Sequence, residues 1–239
     1  ARLDEAISFW EKEVTAYKLR AGYPEEIAAV LPSDAFTEEK GVAFPLCRMG
    51  GTHPDYKKLV RLGIPGLRKE IEEKIPTAEE SSKPLYSAML DALDLLCDVC
   101  RYYEKQAGDK GLDALAGVLR ALPVRAPQNM REALQLIHLY AILSGSFNYG
   151  RMDDYLGCFA EDDNALDCVI AFWKVVCERE ITWDARVVVG GLGRENEEEA
   201  DRFALLAMEA SRQYRDILPQ LTLRFYDGQN PALLKKAYD

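Results

Sequence analysis

The side chains in this chain that could carry chemistry are few and widely spaced. There are two histidines and six cysteines, among 40 acidic and 30 basic residues. Cys97 and Cys100 form a CxxC, the spacing of a zinc or redox pair. The pair lies inside a segment of helical period with no second pair downstream, and a zinc site needs about four ligands. No metal site is expected, and both cysteines read as buried free thiols. Cys47, Cys158, Cys168 and Cys177 are too spread out for a disulfide scaffold. His53 precedes Pro54 and reads as a loop histidine, while His138 on an apolar helix reads as a packed core residue. No Ser–His–acid group or metal cluster stands out, which disfavours an ordinary hydrolase or transferase. Gly190-Gly191 lacks the GxGxxG pattern of a nucleotide site. Three charges crowd into Gly150–Leu156, where Asp153 reads by itself as a helix-start carboxylate paired with Arg151. Arg224, on an alternating segment, is either an anion anchor or the partner of one of the many acids. Arg194 through Glu199 read as a solvated helix start.

Helices must position most of these side chains. Ile7, Trp10, Val14 and Tyr17 recur on one helical face, and Pro24-Glu25 opens a short helix ending before Pro32. Residues 32–54 are irregular, with a short extended piece over Val42–Phe44. Asp55 caps a helix carrying Leu59 and Leu62, which Gly63 and Pro65 interrupt and Leu67–Ile75 continues. Leu85, Met89, Ala92, Leu96, Val99 and Tyr103 form one face of the clearest helix, widened by Leu93 and Cys100. A shorter helix, Leu112–Leu122, stops at Pro123. Asn129 and Glu132 resemble a capping box opening Met130–Leu143, and Gly145 and Gly150 bracket a loop. A helix from Asn164 through Cys177 leads to a β-branched strand, Ile181–Val189. A helix over Glu195–Tyr214, a strand over Leu221–Phe225 and a helix over Pro231–Tyr238 complete the pattern. The chain is thus mostly α with a few strands. Two late strands want more strands to pair with, because unpaired backbone groups are costly.

The 239 residues are 48% hydrophobic, enough for a substantial core, and carry a formal net charge of −10. An acidic chain without a basic stripe is not built for nucleic acid. No run of about 18 apolar residues is present to span a membrane as a helix. The N-terminus reads as an amphipathic helix rather than a signal peptide, so a cytoplasmic location is expected.

Three segments are more specific than periodicity. The first is Gly50-Gly51-Thr52-His53-Pro54-Asp55-Tyr56, followed by Lys58-Leu59-Val60 and Gly63. The second is Arg131-Glu132-Ala133-Leu134-Gln135 with Tyr149-Gly150-Arg151-Met152-Asp153-Asp154-Tyr155-Leu156. The third is Gly190-Gly191 with Leu221-Thr222-Leu223-Arg224. In this order and spacing they resemble the N-terminal half of the glycyl radical enzymes of the pyruvate formate-lyase-like superfamily, from about His53 onward.

That resemblance implies a fold and a chemistry. The chain would be the N-terminal part of a ten-stranded α/β barrel, with a helical layer over 1–180 and the first barrel strands and helices over 181–239. In the family a glycine radical is installed by a separate activating enzyme that uses S-adenosylmethionine and an iron–sulfur cluster. The radical passes to a cysteine inside the barrel, and the thiyl radical attacks substrate. Both loops lie beyond the Leu221–Arg224 strand, so the chain would bind no cofactor itself and hold no catalytic residue. It would contribute the helical shell and part of the pocket of a radical lyase, a dehydratase or a formate acetyltransferase-like enzyme. Its implied partners are a small-molecule substrate, the remainder of the barrel or a complementary chain, the activating enzyme, and a second copy in a homodimer. The competing reading is a non-catalytic helical binding or scaffold protein derived from the same fold.

The resemblance also assigns side chains. Asp153 matches a carboxylate that faces the pocket in choline lyase-like members and would orient substrate. Ser146 corresponds to a serine that holds a substrate hydroxyl in diol dehydratase-like members; otherwise it is a solvated loop serine. His53 lies in the segment where relatives place a substrate-holding His or Arg, a side chain whose register falls at Gly51. Arg151 and Arg224 complete the candidate substrate-binding set. Glycine at 51 and at 145, where relatives carry polar side chains, implies a roomier pocket and a substrate bulkier or less polar than glycerol or pyruvate.

Overall fold

The computed structural model describes residues 5, 25–29, 53–178, 185–216 and 218–239. The chain forms two compact units, Ala1–Gly50 and Gly51–Asp239. In the first, a single helical turn, α1 (Glu25–Ala28), stands where Pro24-Glu25 was expected to open a helix. The expectations for Ile7–Tyr17, Val42–Phe44, Cys47 and Gly51 lie outside the described residues.

The second unit begins with α2 (Tyr56–Lys74). Asp55 caps it by accepting the Lys58 N–H. The expected interruption is a kink at Gly63, whose φ of 63° and ψ of −178° suit only glycine. A β-carbon there would lie 2.6 Å from the Ala126 Cα, so both backbone shape and a close approach require the glycine. Helix α3 (Lys83–Asp109) and helix α4 (Asp113–Ala121) pack against each other, and α5 (Met130–Ser144) lies against α2, α3 and α4. The expected Asn129 cap forms, with its Oδ1 accepting the Glu132 N–H. The reciprocal half does not. Glu132 instead binds the Arg125 guanidinium at 2.6 and 2.7 Å and accepts the Gln128 N–H.

The buried stripe of α3 is Leu93, Leu96, Cys97, Cys100 and Ala107. Leu85, Met89 and Tyr103, expected on the buried face, are exposed. The apolar period there is broad enough for two faces, and tertiary packing selects one of them.

Three parallel strands follow in the order β1 (Gly150–Arg151), β2 (Arg186–Gly190) and β3 (Gln220–Arg224). Between β1 and β2 come the short helix α6 (Met152–Leu156) and α7 (Ala165–Glu178). Helix α8 (Glu197–Gln213) is the crossover that lets β2 and β3 run parallel. It is capped by Asn196 and opens on three glutamates, which suits the positive end of the helix dipole. The last element, α9 (Pro231–Tyr238), packs on α8. A two-residue strand has no period to read, which is why β1 falls where a loop was expected.

Strand alternation gives the sheet two unlike faces. Val187 and Val189 are fully buried and Leu221 and Leu223 pack against the same core. Arg186, Thr222 and Arg224 point the other way and are exposed. Purely parallel sheets are ordinarily covered on both faces; among the described residues this one is covered on one. Substituting Gly63→Ala should lower stability by about 1–3 kcal/mol from backbone strain alone, with the Ala126 clash adding to it, as measured by chemical denaturation.

Candidate functional site

The Gly150–Leu156 segment and the loop after β2 hold each other. Arg151 ends β1 opposite Val188. Its guanidinium reaches the carbonyls of Leu192 at 2.9 Å, Gly190 at 3.0 Å and Gly191 at 3.3 Å. Asp153 lies two residues on and takes the donors of the same loop. Its Oδ2 accepts the Gly190 N–H at 2.7 Å and the Arg194 guanidinium at 3.3 Å. Asp154 accepts the Glu195 N–H at 2.8 Å and pairs with Lys57 at 3.0 Å. One short segment therefore satisfies both carbonyls and amides of residues 190–195.

The expected ion pair between Asp153 and Arg151 is thus replaced by one between Asp153 and Arg194. Arg194 is also not the solvated residue expected from its acidic surroundings. It is 5% exposed and sits among Asp153, Asp201 at 2.8 Å and Glu197. Its sequence neighbours on α8 carry the charges that make it look exposed, but α8 folds those charges back over it. Asp153 is 1% exposed. Burial pushes its carboxyl up to about 6, against the opposing pull of the Gly190 N–H, Arg194 and Arg151. Burial works against the charge on Arg194 too, but Asp201, Glu197 and Asp153 outweigh it and hold the guanidinium above its ordinary range.

A tyrosine cluster supports the segment from beneath. Tyr56, fully buried, is packed within about 6 Å of Tyr140, Tyr149 and Tyr155. Its hydroxyl donates to the Ser146 carbonyl at 2.7 Å, and the Tyr155 hydroxyl to the Tyr149 carbonyl at 2.6 Å. Ser146 is consequently buried at 5% rather than solvated. Gly145 ends α5 in the left-handed region at φ 65°. A helix C-terminus favours glycine in that conformation, so Gly145 has a backbone reason that owes nothing to pocket size. His53 stacks edge-on to Tyr56 at 5.7 Å and covers Gly150, where a β-carbon would fall 1.7 Å from the imidazole Nε2.

These residues border an open cavity of about 640 Å³ on the face of the sheet that carries Arg186 and Arg224. His53, Arg151 and Arg224 line it together, with Lys57, Asp154 and Arg186. Asp153 and Ser146 are not among its lining residues. Asp153 borders a neighbouring cleft with Lys57, Asp154 and Glu199. Two lining side chains, Arg186 and Lys57, carry no signal of their own in the sequence, although strict alternation from Val187 places Arg186 on the open face. His138 is half-buried and edge-on to Phe172, away from this cavity. Among the described cysteines, burial pushes Cys97 up and Cys100 to about 12, so neither is poised as a thiolate at neutral pH.

Two outcomes are expected from the buried charges. Removing Arg194 strands Asp153 and Asp201, so Arg194→Met should cost about 3–5 kcal/mol in denaturant unfolding. Asp153 has a folded pKa above its unfolded value, so its contribution to stability is fully present at low pH and is lost as pH rises through about 6. Asp153→Asn should therefore flatten the stability profile between about pH 4 and 7, by on the order of 3 kcal/mol, in thermal melts across that range.

The family model of the pyruvate formate lyase-like proteins matches residues 1–168. No curated protein matches the sequence. Among solved structures, one from Roseburia inulinivorans, determined in work on 1,2-propanediol dehydration and its substrate and enantiomer selectivity, superposes with a TM-score of 0.64 at 17% identity. The superposition covers 79% of this chain and 29% of that one. A glycyl radical enzyme from Archaeoglobus fulgidus superposes with a TM-score of 0.62 at 21% identity, covering 77% of this chain and 29% of that one. The chain thus spans less than a third of each of these structures. The family match covers more than half of the sequence, the fold agrees with it, and the chain belongs to the pyruvate formate lyase-like family.

Proposed function

We propose that this chain is the N-terminal portion of a glycyl radical enzyme, supplying the helical shell and one wall of the substrate pocket. The carrying observation is the face of the parallel sheet on which Arg186, Thr222 and Arg224 are exposed and which no described helix covers. It bears a cavity lined by His53, Arg151 and Arg224, whereas parallel sheets are ordinarily covered on both sides. The limited share of the similar structures that the chain spans supports the same reading.

In this reading the radical-bearing glycine and the attacking cysteine come from chain outside these 239 residues, and the complete protein is a radical lyase or dehydratase acting as a homodimer. A separate activating enzyme using S-adenosylmethionine and an iron–sulfur cluster supplies the radical. Enclosure is a chemical requirement, since a radical intermediate must be kept from solvent and side reactions. The chain's own role is to shape the wall. Arg151, Asp153 and Asp154 fix the loop after β2, and that loop sets where Arg224 lies. Asp153 acts by holding backbone behind the wall, and Ser146 is itself held beneath it, its carbonyl accepting from the Tyr56 hydroxyl.

The test is electron paramagnetic resonance on the intact protein after anaerobic treatment with a competent activating enzyme. A glycine-centred doublet is expected from the intact protein and none from the 239-residue chain alone. Absence of the doublet from the intact protein would overturn the enzyme reading and leave the scaffold reading in its place.

A further inference from the structure

We propose that the exposed face of α3 is a docking seam for an amphipathic helix of a partner protein, one whose apolar stripe is flanked by basic residues. Helix α3 has two apolar faces. The one built on Leu93, Leu96, Cys97 and Cys100 is buried in the helical layer. The other carries Leu85, Ala88, Ala92, Leu95, Val99 and Tyr102, which recur in alternating steps of three and four. That is the a/d spacing of a coiled-coil seam. Val99 is half-buried and the rest are exposed, Leu85 at 58%, Leu95 at 54% and Tyr102 at 60%. Single apolar residues on a surface need no explanation, but a row of them in register over about 26 Å marks an interaction surface.

The patch widens over the C-terminal half of α3. Tyr102 and Tyr103 meet edge to face at 5.2 Å. A cavity of about 370 Å³ runs from them to Leu112 at the start of α4 and to Leu139 and Ile142 of α5. A fixed aromatic pair beside an apolar groove is the anchor that a docking helix uses. Ala88 and Ala92 are small, so a second helix backbone can approach closely along the first half of the seam.

Charge selects the occupant. One edge of the seam carries Asp91 and Asp98, a heptad apart, and the other carries Met89 and Tyr103. Asp91 ion-pairs with no described residue. Asp98 has Arg101 at 2.6 Å in the same helix, both side chains being largely exposed, and such a pair is worth little. A second copy fits this edge badly. In an antiparallel pair Asp91 would face the Asp98 of the other copy, and in a parallel pair both aspartates would face an apolar edge. The net charge of −10 adds repulsion between copies. A helix with Lys or Arg beside its stripe covers the apolar row and meets both aspartates with the opposite charge.

The probe is a labelled three-heptad peptide with Leu at its a and d positions and Lys at e and g, at trace concentration. It is titrated with the intact protein and with the 239-residue chain, and binding is followed by fluorescence anisotropy. The same peptide with Glu at e and g is the control. The Lys peptide is expected to bind both proteins, more weakly as salt is raised, and the Glu peptide to bind at least tenfold more weakly. Leu95→Ala should weaken binding of the Lys peptide about tenfold with unchanged circular dichroism, because the site is exposed. Asp91→Lys combined with Asp98→Lys should reverse the preference in favour of the Glu peptide. The proposal is overturned if neither peptide binds, if the Glu peptide binds as tightly, or if Leu95→Ala binds like the parent. It is overturned in favour of a second copy if sedimentation shows a dimer that Leu95→Ala dissociates. It is overturned in favour of the remaining chain if the intact protein refuses the peptide that the 239-residue chain binds. The glycyl radical, formed or not, has no bearing on any of these outcomes.

Discussion

Everything around the candidate site depends on how residues 190–195 are held. This loop leaves β2 at a point where neither strand nor helix can satisfy its backbone. Arg151 takes three of its carbonyls, and Asp153 and Asp154 take two of its amides. A cation and two anions in one short segment are what such a loop needs, since carbonyls require donors and amides require acceptors. Arg194 then closes the arrangement from the loop side, buried between Asp153 and the first turns of α8. The same clamp sets the start of α8, the spacing between β1 and β2, and the place where Arg224 crosses Gly191.

A buried ion cluster is a costly way to join elements. Taking Asp153 and Arg194 out of water forfeits solvation that their mutual attraction only partly returns, so a well-packed apolar replacement could be as stable. What apolar side chains lack is direction. Hydrogen bonds to the Asp153 carboxylate fix the loop's register against the sheet. The Tyr56 cluster works in the same sense on the other side. It combines a large buried aromatic surface with hydroxyls that donate to backbone carbonyls in the 146–149 loop.

The two faces of the sheet divide the labour. One is a hydrocarbon surface continuous with the core beneath α8. The other carries guanidiniums over a cavity, with His53 seated on Gly150 at its edge.

Much of the architecture was legible in the sequence because it depends on neighbours a few residues apart. The Asp55 cap, the break at Gly63, the Asn129 cap, the β-branched β2 and the final helix at Pro231 are local events governed by capping and backbone preference. The motif order around Gly150–Leu156 carried the family. What depends on distant neighbours was not legible. Charge pattern alone made Arg194 look solvated, because an arginine followed by acids reads the same whether α8 folds over it or away from it. Periodicity alone offered α3 two apolar faces. Asp153 is the plainest case. Its identity and position marked it as important, but only the tertiary structure decided that its partners are Gly190 and Arg194, 37 and 41 residues downstream. A sequence determines which groups a segment brings, whereas desolvation and distance, which the fold alone sets, determine which of them meet.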